Sequence, residues 1–239
     1  IIIFIYKSSL KKADEVWFAN KYDQKEFIDN KIILKSQKIK IVPGCGVSSS
    51  LSLTDTRNYN KKNILMIARL QVEKGVREYL ELAQRYYKSG YTFTLVGNYN
   101  PKDPSRISHD KLNKLINNKI IHYIPFSSDV TSLYDSADCF ILPSYREGIS
   151  TVLLEAAIRK VPIITTRSPG CIDVIPDESF GLLCNKADFD SLHNAFIRYV
   201  NIPSDDLISM VSKSYNHVLK NFSRESIIDI YDQKLTEIV

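Results

Sequence analysis

Short apolar runs alternate with amphipathic stretches along most of the chain. Asn63 to Ala68 is apolar and short, which predicts a buried strand. Gly75 to Lys88 sets Val76, Tyr79, Leu80, Ala83 and Tyr87 on one face at helical spacing. Phe93 to Val96 predicts a strand ended by Gly97, and Asn98-Tyr99-Asn100-Pro101-Lys102-Asp103-Pro104 is a loop by composition. A helix near Ile107 to Asn117 precedes a short strand, Ile120 to Tyr123. Asp129 is placed to cap a helix running to Ser136. Cys139 to Leu142 and Val161 to Thr165 read as strands around a helix from Val152 to Ile158. Gly181 to Cys184 follows, and residues 189–237 are mainly helical in pattern. Repeated strand–helix–strand units predict an α/β fold with a parallel sheet covered by helices.

The first fifty residues have a different character. Glu15 to Ala19 predicts a strand, Lys21 to Asp29 a helix, and Ile39 to Val42 a strand ending at Pro43-Gly44-Cys45-Gly46-Val47. The polar stretch from Ser48 to Lys62 is a natural linker. The expected plan is the end of one domain, a hinge, and a nearly complete second domain. The chain opens on Ile1-Ile2-Ile3-Phe4-Ile5-Tyr6, and its methionines are Met66 and Met210. It therefore reads as a piece of a longer protein whose amino-terminal part lies upstream. The opening apolar run is too short to span a bilayer.

Composition adds little beyond exclusions. Hydrophobic residues at 44% and charged residues at 25% are ordinary for a soluble globular protein. The net charge is +5, and residues 1–50 hold nine Lys against five Asp and Glu. Lys7, Lys11 and Lys12 stand beside the apolar start, a pattern open to either a solvated basic face or contact with an anionic membrane surface. No basic-aromatic module points to nucleic acid. Cys45, Cys139, Cys171 and Cys184 are scattered, and the four histidines are isolated, so reduced structural thiols are expected rather than a metal site. Asp188-Phe189-Asp190 opens a helix, where Asp caps and complements the dipole; metal binding is the lesser reading.

Two constellations carry candidate chemistry. Glu147 and Glu155 flank the start of the Val152–Ile158 helix, which is apolar at six of its seven positions. A carboxylate in that setting needs a partner or a ligand, although an i,i+4 pair with Arg159 is an alternative for Glu155. The amides near Gly148 to Thr151 lack intrahelical acceptors and suit an anion. The second constellation is Arg69-Leu70-Gln71-Val72-Glu73-Lys74-Gly75, just after the first strand of the main sheet. That end of a parallel strand is where open α/β sheets bind ligands. Arg69 suits bidentate phosphate contact and Lys74 supplies a point charge. The bland alternative is surface charge, with Glu73 and Arg77 paired.

Taken in order, these segments resemble the family 4 glycosyltransferases, in particular the branch that builds capsule, O-antigen and other lipid-linked oligosaccharides. Ala13 to Asn20, Pro43 to Val47, Ala68-Arg69-Leu70 through Lys74-Gly75, Ala137 to Ser144, the E-x7-E run from Glu147 to Glu155, Val161 to Thr166, and Pro169-Gly170 carry the resemblance. It implies a GT-B fold, with a Rossmann-like parallel sheet and helices on both faces. Residues 1–47 would end the amino-terminal acceptor domain, 48–62 would link, and 63–221 would form the nucleotide-sugar domain. Residues 222–239 would be a helix packing back on the amino-terminal domain. The implied activity is retaining transfer of a sugar from a nucleotide-diphosphate donor, UDP by analogy, to a glycan or polyprenyl-diphosphate-linked acceptor. It would need no cofactor and no metal. The implied place is the cytoplasm, with peripheral contact at the inner membrane face.

The resemblance also implies roles. Arg69 and Lys74 would neutralise the departing diphosphate, and Glu147 would contact the donor sugar. Glu155 would hold the ribose hydroxyls. Amides of Gly148, Ile149, Ser150, Thr151 and Val152 would complete the cradle, and Tyr123, Ile124 and Phe126 would line the base pocket. Lys160 stands where the family commonly ends the helix with Gly; a left-handed cap there would cost Lys roughly 1 kcal/mol, which leaves another cap open. Ile172 replaces a frequent Arg. A sugar-nucleotide epimerase of the same fold would need acid and base groups in the cleft instead of this clamp. A non-catalytic partner subunit is the other rival, and the presence of Arg69, Lys74, Glu147 and Glu155 argues against it.

Overall fold

A parallel sheet needs a long crossover between neighbouring strands, and the chain supplies a helix at each such step except the last, where a run of turns over residues 167–181 makes the connection. The computed structural model describes residues 2–34, 36–51, 57 and 59–238. In the first part, α1 (Ile2–Leu10), β1 (Glu15–Phe18), α2 (Lys21–Asp29) and β2 (Lys38–Ile41) form a small unit whose two strands pair in parallel. Its core is Val16, Phe18 and Ile33. The apolar side chains of α1 remain exposed, Ile2 at 70% and Phe4 at 75%. Positions 52–56 and 58 of the expected linker lie outside the described residues.

The main sheet contains β3 (Asn63–Ile67), β4 (Thr92–Val96), β5 (His122–Ile124), β6 (Cys139–Leu142), β7 (Ile163–Thr166) and β8 (Leu182–Cys184). Between and after them run α3 (Val76–Tyr86), α4 (His109–Asn117), α5 (Val130–Ser136), α6 (Thr151–Ile158), α7 (Phe189–Asn201), α8 (Ser204–Phe222) and α9 (Arg224–Ile238). All strands are parallel in the order β5-β4-β3-β6-β7-β8. From β3 the chain first builds outward through β4 and β5, then returns to the other side of β3 and builds through β6, β7 and β8. Right-handed crossovers put α3 and α6 on opposite faces. There α3 packs with α7, and α6 with α8. Strands β6 and β7 are buried along their whole length, as a doubly covered parallel sheet requires.

The order reverses between β3 and β6. These two strands pair only at Ile64–Cys139 and Leu65–Phe140, whereas β3 and β4 stay paired over five positions. Beyond Leu65 and Phe140 the strands part, which opens a crevice at their carboxyl ends. At the other end, the buried Asp138 carboxylate accepts from the amides of Lys62 (2.9 Å) and Asn63 (3.0 Å) and pins the start of β3.

Strands β5 and β7 begin two residues later than the apolar pattern predicts, and the cause is the same in both. After α4, Lys119 is left-handed (φ 55°) and the Ile120 amide donates to Leu115 O at 2.9 Å. After α6, Lys160 is left-handed (φ 55°) and the Val161 amide donates to Ala156 O at 2.9 Å. The first apolar residue of each run thus belongs to a Schellman-type helix cap. After α2, Lys31 (φ 51°) and Ile32 repeat the arrangement. Lys160 therefore does adopt the left-handed conformation, without the glycine that would relieve it. Strand β2 starts one residue earlier than expected, at Lys38, whose amide donates to Asp14 O at 3.2 Å.

Among the described residues, the small unit and the main sheet touch in two regions. Val47 bridges Ser223, with Val47 N donating to Phe222 O and Arg224 N to Val47 O, both at 2.8 Å. Helix α9 then runs back to the small unit, where Tyr231 packs on Trp17 with ring centroids 5.3 Å apart. The other region is the loop after β6, at the candidate site.

Candidate active site

The crevice between β3 and β6 holds a cavity of about 220 Å³. It is lined by Ile67, Ala68, Arg69 and Lys74 from the β3 side, and by Leu142, Glu147 and residues 149–152 from the β6 side. Both halves follow directly from the topology, because each loop leaves the carboxyl end of a strand that flanks the reversal.

The two loops are fixed to one another by backbone contacts. Gly75 is left-handed (φ 74°), and a Cβ there would lie 2.2 Å from Pro143 O. The Tyr145 amide donates to Glu73 O at 2.8 Å, and Ser144 Oγ reaches the same carbonyl at 3.2 Å. Glycine at position 75 is therefore a condition of bringing Lys74 to the β6 loop. Gly170, also left-handed, plays the same part behind Glu147, whose carbonyl would lie 2.3 Å from an added Cβ. Thr165, fully buried, donates to Leu142 O at 2.8 Å, and Thr166 donates to Ser144 O, so the strand end is held from below.

The polar groups in the cavity differ in their engagement. Lys74 Nζ sits 2.7 Å from each oxygen of Glu147, with side-chain exposures of 17% and 13%. The Arg69 guanidinium makes no hydrogen bond or ion pair among the described residues. Hydrogen bonds from Ser105 and Gln71, with Arg69 nearby, hold the Asp103 carboxyl below its usual range. Ser150 occupies the N-cap of α6, yet its side chain makes no capping bond. The first amides of α6, on Thr151 and Val152, thus have no intrahelical or side-chain acceptor among the described residues. Gly148 O accepts from Asn20 Nδ2 at 2.8 Å. Because a trans peptide points its C=O and N–H in opposite directions, the Ile149 amide turns away from the amino-terminal unit.

Glu155 does not line this cavity. It lies one turn along α6, on the face shared with Thr151 and Val152. Arg159 does not pair with it; Arg159 Nε bonds Asp135 on α5 at 2.8 Å. Instead Tyr134, on α5 and 1% exposed, places its hydroxyl 2.9 Å from Glu155 Oε2 and 3.1 Å from Val152 O. Burial pushes the Glu155 carboxyl above the usual range, and the Tyr134 hydrogen bond draws it back down in part. Glu73 and Arg77 form no ion pair among the described residues. Asp188 caps α7 through the Ser191 amide at 2.9 Å.

Tyr123, Ile124 and Phe126 stand at the carboxyl end of β5, two strands away from β3, and none of them lines the cavity. Tyr123 donates its hydroxyl to Gly97 O at 2.9 Å, Ile124 borders a separate groove with Asn63 and His122, and Phe126 is 72% exposed. Tyr134 and Asn20, which the sequence does not single out for the site, make direct hydrogen bonds to its residues. Arg146, next to Glu147, reaches Asp23 and Glu26 of α2, each at 2.5 Å.

Comparison with known proteins places this geometry in context. The sequence profile of the family described as "Glycosyl transferases group 1" matches residues 55–217. A Campylobacter jejuni protein, N,N'-diacetylbacillosaminyl-diphospho-undecaprenol alpha-1,3-N-acetylgalactosaminyltransferase, is 32% identical over 195 residues, covering 76% of this chain and 50% of the relative. Sucrose-phosphate synthase of Thermosynechococcus elongatus superimposes with a TM-score of 0.82 at 21% identity, over 99% of this chain and 61% of that one. Anabaena HepE in complex with UDP and glucose gives a TM-score of 0.83 at 16% identity, over 98% of this chain and 66% of that one. The chain spans about half the length of the curated relatives it matches over most of its own length.

Proposed function

Because this chain belongs to the group 1 glycosyl transferases and has the GT-B fold, we propose that it is the donor-binding half of a transferase. In this reading the whole protein moves a sugar, with retention, from a nucleotide-diphosphate donor to a polyprenyl-diphosphate-linked glycan. The observation that carries it is the pairing of an uncapped helix N-terminus with Arg69 and Lys74 across one crevice. Amides and cations converging on a space of this size suit a diphosphate. The acceptor class follows the diphospho-undecaprenol named for the Campylobacter jejuni relative, and UDP follows the HepE complex.

Cleaving the sugar–phosphate bond builds negative charge on the diphosphate and positive charge on the sugar. Arg69, Lys74 and the α6 amides meet the first without a metal ion, and Glu147 meets the second. Stabilisation of charge that develops only in the transition state lowers the barrier itself. Contact with a membrane surface belongs to the same proposal, with Lys7, Lys11 and Lys12 as its basic groups. Among the described residues no helix is long and apolar enough to cross a membrane.

The test is calorimetric titration of the chain with UDP, GDP and ADP, beside Arg69→Ala and Glu155→Gln. One nucleotide is expected to bind selectively, and each substitution to weaken it on the order of 10-fold or more, the scale of a lost hydrogen bond to a charged group. A folded chain that binds none of the three, or binds them regardless of both substitutions, contradicts the donor-site reading.

A further inference from the structure

Tyr134 is one of the largest fully buried side chains, and its hydroxyl is spent on the neighbourhood of a single carboxylate. The ring packs against Phe140 of β6, with centroids 5.6 Å apart, so the oxygen is held in place by the core of the sheet. Its one proton has two acceptors within reach, Glu155 Oε2 at 2.9 Å and Val152 O at 3.1 Å. Val152 O is a helical carbonyl with a partner one turn along α6. An ionised carboxylate is the stronger acceptor, so the proton goes to Glu155 whenever Glu155 is charged. When Glu155 is protonated, Val152 O takes the bond instead.

The other groups around Glu155 are engaged elsewhere. Arg159, on its own helix, is bound to Asp135 of α5. Arg57, which approaches the ends of α5 and α6, donates to carbonyls of Arg159, Tyr134 and Asp135. The influences on the proton affinity of Glu155 are therefore burial, which favours the neutral acid, and the Tyr134 hydroxyl, which favours the anion. We propose that Tyr134 is a positioning residue of the nucleotide site, its buried hydroxyl fixing Oε2 of Glu155 and leaving Oε1 to receive a ribose hydroxyl. This rests on the reading of Glu155 as the ribose contact. A ribose hydroxyl donates to the carboxylate, so binding needs the ionised form. Affinity then falls as pH drops through the Glu155 midpoint, and binding in that range releases a proton.

Tyr134→Phe removes the oxygen and keeps the ring. The Glu155 carboxyl is followed by carbon-13 NMR, assigned by its absence in Glu155→Gln, while UDP affinity is measured across the same pH range. The expected result is an upward move of the Glu155 midpoint by about one pH unit, the scale of a lost hydrogen bond to a charge. The pH profile of UDP affinity should move with it. A Tyr that only fills the core would lower the melting temperature and leave both profiles in place, and that outcome overturns the proposal. A midpoint that moves while UDP binding ignores it and survives Glu155→Gln removes the ribose reading instead, and with it the positioning role. In the wild-type chain, proton release on UDP binding, read from calorimetry in buffers of different ionisation enthalpy, is an independent check. Its absence near the Glu155 midpoint counts against the proposal.

Discussion

Lys74 and Glu147 each hold the other's charge, and this sets what either can offer a ligand. The ammonium lies equally close to both carboxylate oxygens, at 2.7 Å, in a half-shielded cavity. A diphosphate entering beside it meets a cation whose charge is already shared. Glu147→Gln should therefore strengthen binding of free UDP by several-fold, roughly 1 kcal/mol for a partly shielded pair, while abolishing transfer. Calorimetry against turnover checks this; weaker UDP binding would mean that Glu147 serves mainly to aim Lys74. Arg69, Lys74 and Glu147 are legible in the sequence because each lies just past a recognisable strand. Tyr134 is not, because its relation to Glu155 depends on α5 and α6 meeting, and nothing local in Ser132-Leu133-Tyr134-Asp135 announces it. Asn20 is further from view, standing 128 positions before the Gly148 carbonyl it holds.

At the scale of elements, periodicity locates the helices and strands of the main sheet, and the late starts of β5 and β7 have one origin. Three helices, α2, α4 and α6, end on a left-handed lysine followed by Ile or Val. The apolar residue after the lysine looks like the first position of a strand, yet its amide closes the helix. A left-handed L-residue costs about 1–2 kcal/mol, part of which lysine recovers at the negative end of the helix dipole. Lys119→Gly is accordingly expected to stabilise the chain by roughly 1 kcal/mol, read as a rise of a few degrees in melting temperature. A fall would show that the lysine charge outweighs the backbone strain. The unused N-cap of α6 is beyond the reach of pattern as well: Ser150 is a favoured capping residue, and nothing in the sequence marks its side chain as making no capping bond.

For the whole molecule, the decisive place is the crossing of two connections beside Gly46. That glycine is left-handed (φ 69°), and a Cβ on it would lie 2.9 Å from the carbonyls of both Phe222 and Ser223. Gly46→Ala adds strain and a steric conflict where α8 gives way to α9, a cost on the order of 1–3 kcal/mol. Trp17, the single tryptophan, packs on Tyr231 of α9 and reports the docking of that helix. The variant should show altered Trp17 emission that changes at a lower temperature than in the wild type; unchanged emission and melting would mean that the crossing relaxes freely.

The adjacency of those two crossings limits how the small unit and the main sheet can travel. Had the chain passed between them once, the pair could swivel about any line through that point. Two passages side by side, joined by Val47 N to Phe222 O and Arg224 N to Val47 O, define an axle instead of a pivot. Twisting and sliding then require breaking backbone hydrogen bonds, while rotation about the axle does not. A swing of α2 toward or away from the loop of Arg146 to Gly148 is the displacement that would leave both of those hydrogen bonds intact. In the structure Asp23, Glu26 and Asn20 already touch that loop, so a swing toward it would be blocked and a swing away would break those three contacts.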